Sequence, residues 1–116
     1  MKNRDEMVLN LLIQNCDEIE EALDRFNVKT FEDFNNDSVI KRAITMCLIS
    51  ISETTKLFTD DFRMQHDYIN FKVFKAMRNI AAHKYGSVNF EMVWEIVNHD
   101  IPEYNKLFRR LLSQIK

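Results

Sequence analysis

Four polar side chains that could do chemistry lie close together in the second half of the chain. Arg78, Asn79, His83 and Tyr85 precede Gly86, the only glycine. An arginine guanidinium keeps its charge and binds phosphate oxygens in a bidentate manner. A histidine imidazole exchanges protons near neutral pH. Together they are suited to RNA cleavage without a metal ion. The base takes a proton from a ribose 2′-OH, which attacks the neighbouring phosphate, and the guanidinium stabilises the developing charge.

One ideal helix does not aim Arg78 and His83 at the same point. At about 100° per residue, their separation of five places them roughly 140° apart. Arg78 and Tyr85 share one line of the helix, and Asn79 and His83 share another. Three arrangements stay open: the helix loosens near Gly86, Arg78 reaches round the helix, or the groups meet across a dimer interface. The leaving 5′-oxygen also needs an acid, and a twofold dimer would supply a second histidine for that role.

The charge distribution points to the same stretch. The net charge of −2 argues against a general polyanion binder. Residues 1–37 carry ten acids and four bases, whereas residues 68–90 carry no acid. The bases in that acid-free segment are Lys72, Lys75, Arg78, His83 and Lys84. A local basic patch suits a phosphate-bearing ligand, and a solvated helix face without glutamate is the alternative.

Each of these side chains also has a purely structural explanation. A histidine or lysine in the last helical turn, such as His83 or Lys84, is favoured by the helix dipole. Arg78 could form a surface ion pair, and Tyr85 could simply pack. Their co-occurrence in the acid-free segment favours a functional role.

The remaining reactive residue types give weaker signals. Cys16 and Cys47 lie inside apolar stretches, which is typical of buried, reduced thiols. His66 and His99 have no metal-ligand spacing with each other or with His83. The sequence therefore predicts neither a bound metal nor another cofactor.

The composition indicates long helices and few loops. The chain has 116 residues, one glycine and one proline, so we expect a single domain over residues 1–116. The charged start lacks the apolar core of a signal peptide, and no apolar run approaches the ~20 residues of a membrane span. We therefore expect a cytoplasmic protein that does not enter a membrane.

Apolar periodicity predicts helices over residues 2–26, 38–58 and 71–85, and from residue 90 onward. The inward positions of the first helix include Phe26. The polar stretch 59–70 is predicted to be a connection, anchored by Phe62 and Tyr68.

Local residue types predict how several helices begin and end. Thr30 could cap a single turn ahead of the second helix, whose N-cap is Asn36 or Asp37. Gly86 is placed to end the third helix as a left-handed C-cap, and Asn89 to begin the next.

Two features affect the assembly of these helices. Residues 43–51 of the second helix are apolar nearly all round, which favours a core on one side and a second copy of the chain on the other. A merely central helix is the alternative. Pro102 lies within the last periodic pattern and either kinks one helix or starts a fifth. Asp100 and Glu103 fit a capping box, which favours a break. The predicted architecture is an all-α, antiparallel bundle of four to five helices.

The segment from Met77 to Tyr85 resembles the signature of HEPN domains of the HepT-like toxin family. The resemblance lies in the spacing of three residues: Arg78 is followed after four residues by His83, and His83 after one residue by Tyr85. The run from Val88 to Val97 and on to Pro102 is similar to the last helix of that family. The position of Ser52 and Glu53 in the second helix is similar as well. The resemblance covers most of residues 38–112.

The resemblance implies a small all-α homodimer that acts as a metal-independent ribonuclease toxin, with a minimal nucleotidyltransferase as its antitoxin. Arg78 and His83 would be the catalytic pair. Asn79 would support them, and the partner would modify Tyr85 with AMP and thereby block the site. Lys75 and Lys84 are assigned to substrate binding as neighbouring bases.

Two other functions stay open. The chain could be a non-catalytic HEPN subunit that binds a nucleotide or substrate for a nucleotidyltransferase. It could also be a plain helical interaction protein, although such a bundle has no need of the Arg-His-Tyr set.

Overall fold

The computed structural model describes residues 2–82 and 85–115, which form α-helices and turns with no β-strand among them. The helices are α1 (Lys2–Arg25), α2 (Phe31–Asn36), α3 (Ser38–Thr55), α4 (Asp60–Gln65), α5 (Lys72–Ala82), α6 (Phe90–Glu95) and α7 (Ile101–Ile115). A 3-10 turn (Tyr85–Ser87) precedes α6, and a π-helical turn (Ile96–Asp100) joins α6 to α7. The prediction of an all-α helical bundle is confirmed.

The core is built around α1, which packs against both α3 and α7, while α3 also packs against α5. Burying a leucine, isoleucine or phenylalanine side chain contributes about 1.5–3 kcal/mol, so the apolar stripes of these helices hold the bundle together. Its most deeply buried side chains include Leu9, Leu12, Ile19, Leu48, Phe74, Phe108 and Leu111. Among the described residues, no helix is long and apolar enough to cross a membrane.

A polar network across the bundle shows that α1 and α7 run antiparallel. The side-chain amide of Asn105 donates to Asp17 at 2.9 Å and to Glu20 at 3.3 Å. The Arg109 guanidinium donates to Asp17 at 2.5 Å. Because Asn105 is 7% exposed, its amide must find partners when the helices pack. The network therefore selects one register of α7 on α1.

The end of α1 differs from the prediction at Phe26 and Asn27. Asn27 has a φ of 55°, in the left-handed region that a short polar side chain tolerates. The Val28 N–H then donates to the Leu23 carbonyl at 2.8 Å, and the Asn27 N–H donates to that of Asp24 at 3.2 Å. These two bonds form a Schellman cap. The predicted inward position of Phe26 is wrong: the chain turns away at this cap and leaves Phe26 58% exposed.

The caps predicted around the second helix are confirmed. Thr30 and Asp33 form a capping box at the start of α2. Its Phe34 is fully buried, with its ring centroid 5.4 Å from that of Trp94. The Asp37 carboxylate then caps α3 by accepting from the N–H groups of Val39 and Ile40, both at 3.1 Å. Such a cap is worth about 1 kcal/mol.

The middle of α3 is apolar nearly all round, but only part of it is buried. Ile44 and Leu48 face the core, whereas Met46 is 62% exposed. The helix ends at Thr55, before the predicted end at residue 58. Phe58 nevertheless stays buried, stacked on Phe62 at 4.1 Å.

The stretch predicted as a connection contains a short helix, α4, that periodicity did not reveal. Thr59 caps it by accepting from the Phe62 N–H at 3.1 Å. Asp5 of α1 holds the same residue, accepting from the Thr59 backbone N–H at 2.9 Å and from its hydroxyl at 2.7 Å. One turn of helix is unstable alone, so this long-range contact and the burial of Phe62 hold it in place.

The predicted left-handed C-cap at Gly86 is wrong. The helix α5 extends to Ala82, Tyr85 already begins a 3-10 turn, and Gly86 in that turn does not have a positive φ. A Cβ added at Gly86 would meet nothing within 4 Å. The turn therefore does not depend on the conformational freedom of glycine.

Of the two alternatives left open at Pro102, the break that the capping-box pattern favours does not occur. Ile101 is helical, and its N–H donates to the Ile96 carbonyl five residues back. The wider π turn before Pro102 accommodates a residue that lacks an N–H and whose ring would otherwise press on the preceding turn. The side-chain amide of Asn98 donates to the Trp94 carbonyl at 2.8 Å. The last helix therefore continues through the proline instead of splitting at a capping box.

Candidate functional site

Three of the candidate residues lie on α5, one side of which packs against the core. Phe74, Met77 and Ile80 recur at helical spacing and are buried. The opposite side carries Lys75 and Asn79, which are exposed. Apolar burial on one side thus forces the polar residues of the same helix toward solvent.

Arg78 stands at the edge of this exposed side. It is half-buried and follows Lys75 by three residues, so the two are neighbours on the helix surface. In the part of the chain that the structure describes, no hydrogen bond or ion pair engages the Arg78 guanidinium. Lys75, Arg78 and Asn79 therefore form one polar surface with a guanidinium available to an anion.

Three of the candidate residues cannot be placed relative to this surface. His83 and Lys84 lie outside the described residues, and for Tyr85 only the backbone is described, in the 3-10 turn. The relation of Arg78 to His83 therefore stays a prediction.

Two side-chain contacts with other elements fix the start of α5, and sequence analysis missed both. The Tyr104 hydroxyl donates to the backbone carbonyl of Asn70. The Arg63 guanidinium donates to the Thr55 carbonyl at 2.6 Å and lies 5.5 Å from the centre of the Phe71 ring. Neither Tyr104 nor Arg63 stands out by spacing, because their partners lie in other elements, 34 residues away for Tyr104 and eight for Arg63. Both restrain the chain immediately before the helix that carries Arg78.

Burial also affects the protonation of two side chains, Tyr104 in α7 and Asp100 in the π-helical turn before it. Burial, and then the nearby Asp100 carboxylate, together raise the pKa of Tyr104 to about 12. Burial likewise raises the pKa of Asp100, assisted by Glu95 and opposed by His99. Tyr104 therefore keeps its proton at neutral pH and remains a hydrogen-bond donor to Asn70.

The two cysteines are poor nucleophiles. Burial raises the pKa of Cys16 to about 12, with further contributions from Glu20 and Asp17. Burial also raises the pKa of Cys47, and Glu18 adds to the effect. Since the thiolate is the reactive form, both side chains behave as apolar packing groups.

The two described histidines serve local structure. His66 Nδ1 lies 2.9 Å from the Phe62 carbonyl at the end of α4. His99 Nδ1 lies 3.0 Å from Glu95 on the solvent-exposed surface. Within residues 2–82 and 85–115, no group of three or more histidine, cysteine or acidic side chains is arranged to hold a metal ion.

Comparisons with known proteins identify the family to which the chain is similar. The family model described as "Ribonuclease HepT-like" matches residues 12–111. A protein of Caldanaerobacter subterraneus subsp. tengcongensis is 32% identical over 108 residues, which cover 93% of this chain and 94% of the relative. Two proteins of Methanocaldococcus jannaschii are 35% and 34% identical over 86 residues, which cover 74% of this chain and 71% and 74% of the relatives. All three carry the name "putative RNase".

No solved structure gives a significant match to the chain. The family match nevertheless spans α1 to α7 and includes the whole surface around Arg78. The chain belongs to the HepT-like ribonuclease family.

Proposed function

We propose that this protein is a metal-independent endoribonuclease whose catalytic pair is Arg78 and His83. The observation that carries the proposal is the solvent-facing polar surface of α5, where Arg78 lies beside Lys75 and Asn79 in an acid-free segment. Membership of the HepT-like ribonuclease family supports RNA as the substrate.

The proposed reaction needs only the protons and charges that these residues supply. His83 removes the proton from a ribose 2′-OH, and the 2′-oxygen forms a bond to the adjacent phosphorus. The bond to the 5′-oxygen breaks, and that oxygen receives a proton from an acid. The products are a 2′,3′-cyclic phosphate and a free 5′-OH. Arg78 binds the phosphate oxygens as charge develops, and Lys75, Lys84 and Asn79 hold the neighbouring strand.

We further propose that two copies of the chain assemble around this site. The same histidine cannot be base and acid at one moment, and each positioned proton-transfer group is worth ~10²–10⁴ in rate. The exposed Met46 on α3 provides an apolar surface that a second copy could cover. The dimer would provide both histidines.

Regulation by a minimal nucleotidyltransferase antitoxin is the other part of the proposal. The Tyr85 hydroxyl would lose its proton and attack the α-phosphorus of ATP, with pyrophosphate as the leaving group. The AMP attached in this way would place a bulky anion near a phosphate-binding arginine. It would exclude RNA by occupancy and by charge repulsion. Mass spectrometry after co-expression with the nucleotidyltransferase should find AMP on Tyr85, and its presence only on another residue would refute this assignment.

The proposed activity is tested by incubating labelled RNA with the protein in EDTA. The wild type should release fragments with cyclic phosphate ends, whereas Arg78→Ala and His83→Ala should lose at least about 100-fold in rate. An RNA with 2′-deoxy nucleotides should stay intact. Arg25→Ala and His99→Ala are matched controls on exposed residues elsewhere and should cut like the wild type.

Intact RNA with the wild type, or equal cleavage by Arg78→Ala, would refute the nuclease proposal. Binding of RNA or a nucleotide without cleavage would instead favour the second candidate, a non-catalytic HEPN subunit that presents its ligand to the nucleotidyltransferase. The polar surface beside Arg78 fits that function equally well, since it is built to bind an anion.

A further inference from the structure

A groove lies beside the start of α5, away from Arg78 itself. One wall is formed by Tyr68, Ile69 and Asn70, and the other by the first three turns of α7. Its volume is about 370 Å³. Ile69 is buried and Leu107 half-buried, so the floor is apolar. We call this the Tyr68 groove.

The walls of the Tyr68 groove are held in position from within the protein. The Tyr104 hydroxyl donates to the Asn70 carbonyl and so ties the two walls together. The ring of Tyr104 packs on that of Phe74, with centroids 4.6 Å apart. A surface restrained in this way loses little conformational entropy when a ligand binds.

Tyr68 offers an aromatic surface to solvent. Tyr68 is 62% exposed. Among the described residues its one ring contact is with His66, at 5.9 Å and an interplanar angle of 58°. A tyrosine with an open face is the kind of platform on which a nucleobase stacks.

The groove also carries more positive than negative charge. Lys106 and Arg110 line it and are exposed, while Glu103 is the acid on the same wall. Within residues 2–82 and 85–115, no ion pair engages Lys106 or Arg110. Two available cations beside an aromatic ring match the backbone and base of a single strand.

The positive charge continues from the groove toward Arg78. Asn70 is followed by α5, on which Lys72, Lys75 and Arg78 are spaced three residues apart. Side chains three apart are neighbours on a helix surface, and the three span about 9 Å along the axis. The basic residues of the helix that bears the candidate site therefore begin two residues after Asn70, which lines the groove.

A second cavity provides a contrast. It has a volume of about 400 Å³ and is lined by Asp5 and Asp61, among other residues, with no lysine or arginine from the described parts of the chain. A phosphate group would be repelled by those carboxylates, so this cavity does not suit RNA.

We propose that the Tyr68 groove binds single-stranded RNA, with a base stacked on Tyr68 and phosphates on Lys106 and Arg110. This inference rests on the proposed ribonuclease function, because the bound strand would lead along α5 to Arg78. It adds a substrate class to that function: single-stranded RNA that extends several nucleotides beyond the cleaved bond. The groove raises affinity and selects unpaired substrates, whereas Arg78 and His83 perform the chemistry.

The test measures binding separately from cleavage. The probe is a fluorescein-labelled 2′-O-methyl RNA of about twelve nucleotides, a length within the range of single-strand sites. It cannot be cut by attack of a 2′-OH. Tyr68→Ala and the double variant Lys106→Gln/Arg110→Gln should each raise the Kd about fivefold or more in fluorescence anisotropy. The double variant should also reduce the salt dependence, lowering the slope of log Kd against log salt by roughly 1.4.

Matched controls alter similar side chains elsewhere. Phe26→Ala removes an aromatic ring that is 58% exposed at the end of α1. Lys29→Gln removes an exposed cation that lies 4.0 Å from Asp24. Neither should change the Kd or its salt dependence. Circular dichroism should give all variants the wild-type helix content, because every altered side chain is exposed.

The outcomes separate this inference from the proposed function. Groove variants that bind the probe like the wild type would overturn the Tyr68 groove, even if the wild type cuts RNA. A wild type that does not bind the probe would overturn it as well. Weakened binding by the groove variants, together with a wild type that cuts no RNA, would support the groove and refute the nuclease.

Discussion

The hydroxyl of Tyr104 donates a hydrogen bond to the backbone carbonyl of Asn70, 34 residues earlier in the chain. Asn70 in turn caps the first turn of α5, where its side chain accepts from the Lys72 N–H at 3.0 Å. One contact thus links α7 to the beginning of the helix that carries Arg78. The same contact joins the two walls of the Tyr68 groove, so it supports both proposed RNA contacts.

Replacing Tyr104 by phenylalanine should loosen this link without emptying the core. The ring stacks on Phe74 and Phe108 remain, and the lost hydrogen bond should cost about 0.5–1.5 kcal/mol of unfolding free energy. Hydrogen exchange should become faster at the first amides of α5. Tyr68→Phe is the matched control, since the Tyr68 hydroxyl makes no hydrogen bond within the described residues. Equal exchange rates in both variants would contradict the anchoring role.

Because the pKa of Tyr104 is raised, we expect the stability of the fold to depend on pH in the alkaline range. Burial, and then Asp100, raise the pKa of Tyr104 from 10.0 to about 12. Because the folded state favours the protonated phenol, its contribution is complete below pH 10 and is lost as the pH rises toward 12. The wild type should therefore lose stability faster than Tyr104→Phe over this window. Urea denaturation at several pH values measures the difference, and a constant gap between the two proteins would refute the assignment.

Replacing Thr45 by valine should stabilise the fold, whereas Tyr104→Phe should destabilise it. Thr45 is 3% exposed, and its hydroxyl oxygen has no hydrogen-bond partner among the residues that the structure describes. Thr45→Val removes that unsatisfied group at nearly constant shape and should raise the unfolding free energy by about 1 kcal/mol. The matched control is Thr55→Val, whose hydroxyl donates to the Ser52 carbonyl at 2.8 Å. Thermal denaturation should raise Tm for the first variant and not for the second. A lower Tm for Thr45→Val would show that the hydroxyl has a partner in solution.

The polar network between α1 and α7 should respond to acid. Burial alone would raise the pKa of Asp17, but hydrogen bonds from Arg109 and Asn105 outweigh it and lower the pKa below 3.8. A carboxyl with a lowered folded pKa contributes stability above its unfolded pKa and loses it as the pH falls. Asp17→Asn should therefore lower Tm at pH 7, and its difference from the wild type should shrink below pH 4. Asp24→Asn is an exposed control with only a 4.0 Å contact to Lys29. An Asp17→Asn difference that is the same at pH 3 and pH 7 would contradict this explanation.

The proposed shared site predicts how activity falls when chains are mixed. Wild type is mixed with the double variant Arg78→Ala/His83→Ala in equal amounts and allowed to exchange subunits. If each site needs both copies, about a quarter of the dimers stay active, whereas about half of the activity remains if each chain is complete. The cleavage rate is plotted against the fraction of variant chain. A shared site gives a curve, and chains with complete sites give a straight line. A straight dependence would refute the shared site.

Much of the fold could be predicted because it depends on neighbouring residues. The amphipathic spacing of α1, α3 and α5 is visible in the sequence, and so are the capping residues Thr30 and Asn89. These features act within one or two turns, where side chain and backbone meet regardless of the rest of the chain. The motif around Arg78 is also formed by residues close together in sequence. The family comparison confirms the family that the chain resembles. The roles assigned to its residues stay predictions.

The features that sequence analysis missed at α4 and Pro102 depend on contacts beyond neighbouring residues. The short helix α4 is held by Asp5, which is 54 residues away, and so its own sequence carries little signal. Pro102 is accommodated by a π turn, whose wider hydrogen bonding is not encoded in a simple period of 3.6. In both places the observed structure depends on hydrogen bonds that a local pattern of apolar residues does not show.

The sequence by itself determined that the chain folds into amphipathic helices, and that Arg78, His83 and Tyr85 lie within one acid-free segment. Only the tertiary structure decided that Asn27, not Gly86, takes the left-handed conformation, and that the last helix runs through Pro102. It also decided that Tyr104 meets Asn70 and builds a groove beside Tyr68. The physical reason is that helix propensity and capping act within a few residues. Long-range contacts instead depend on how apolar faces pack, and that packing selects which polar groups meet.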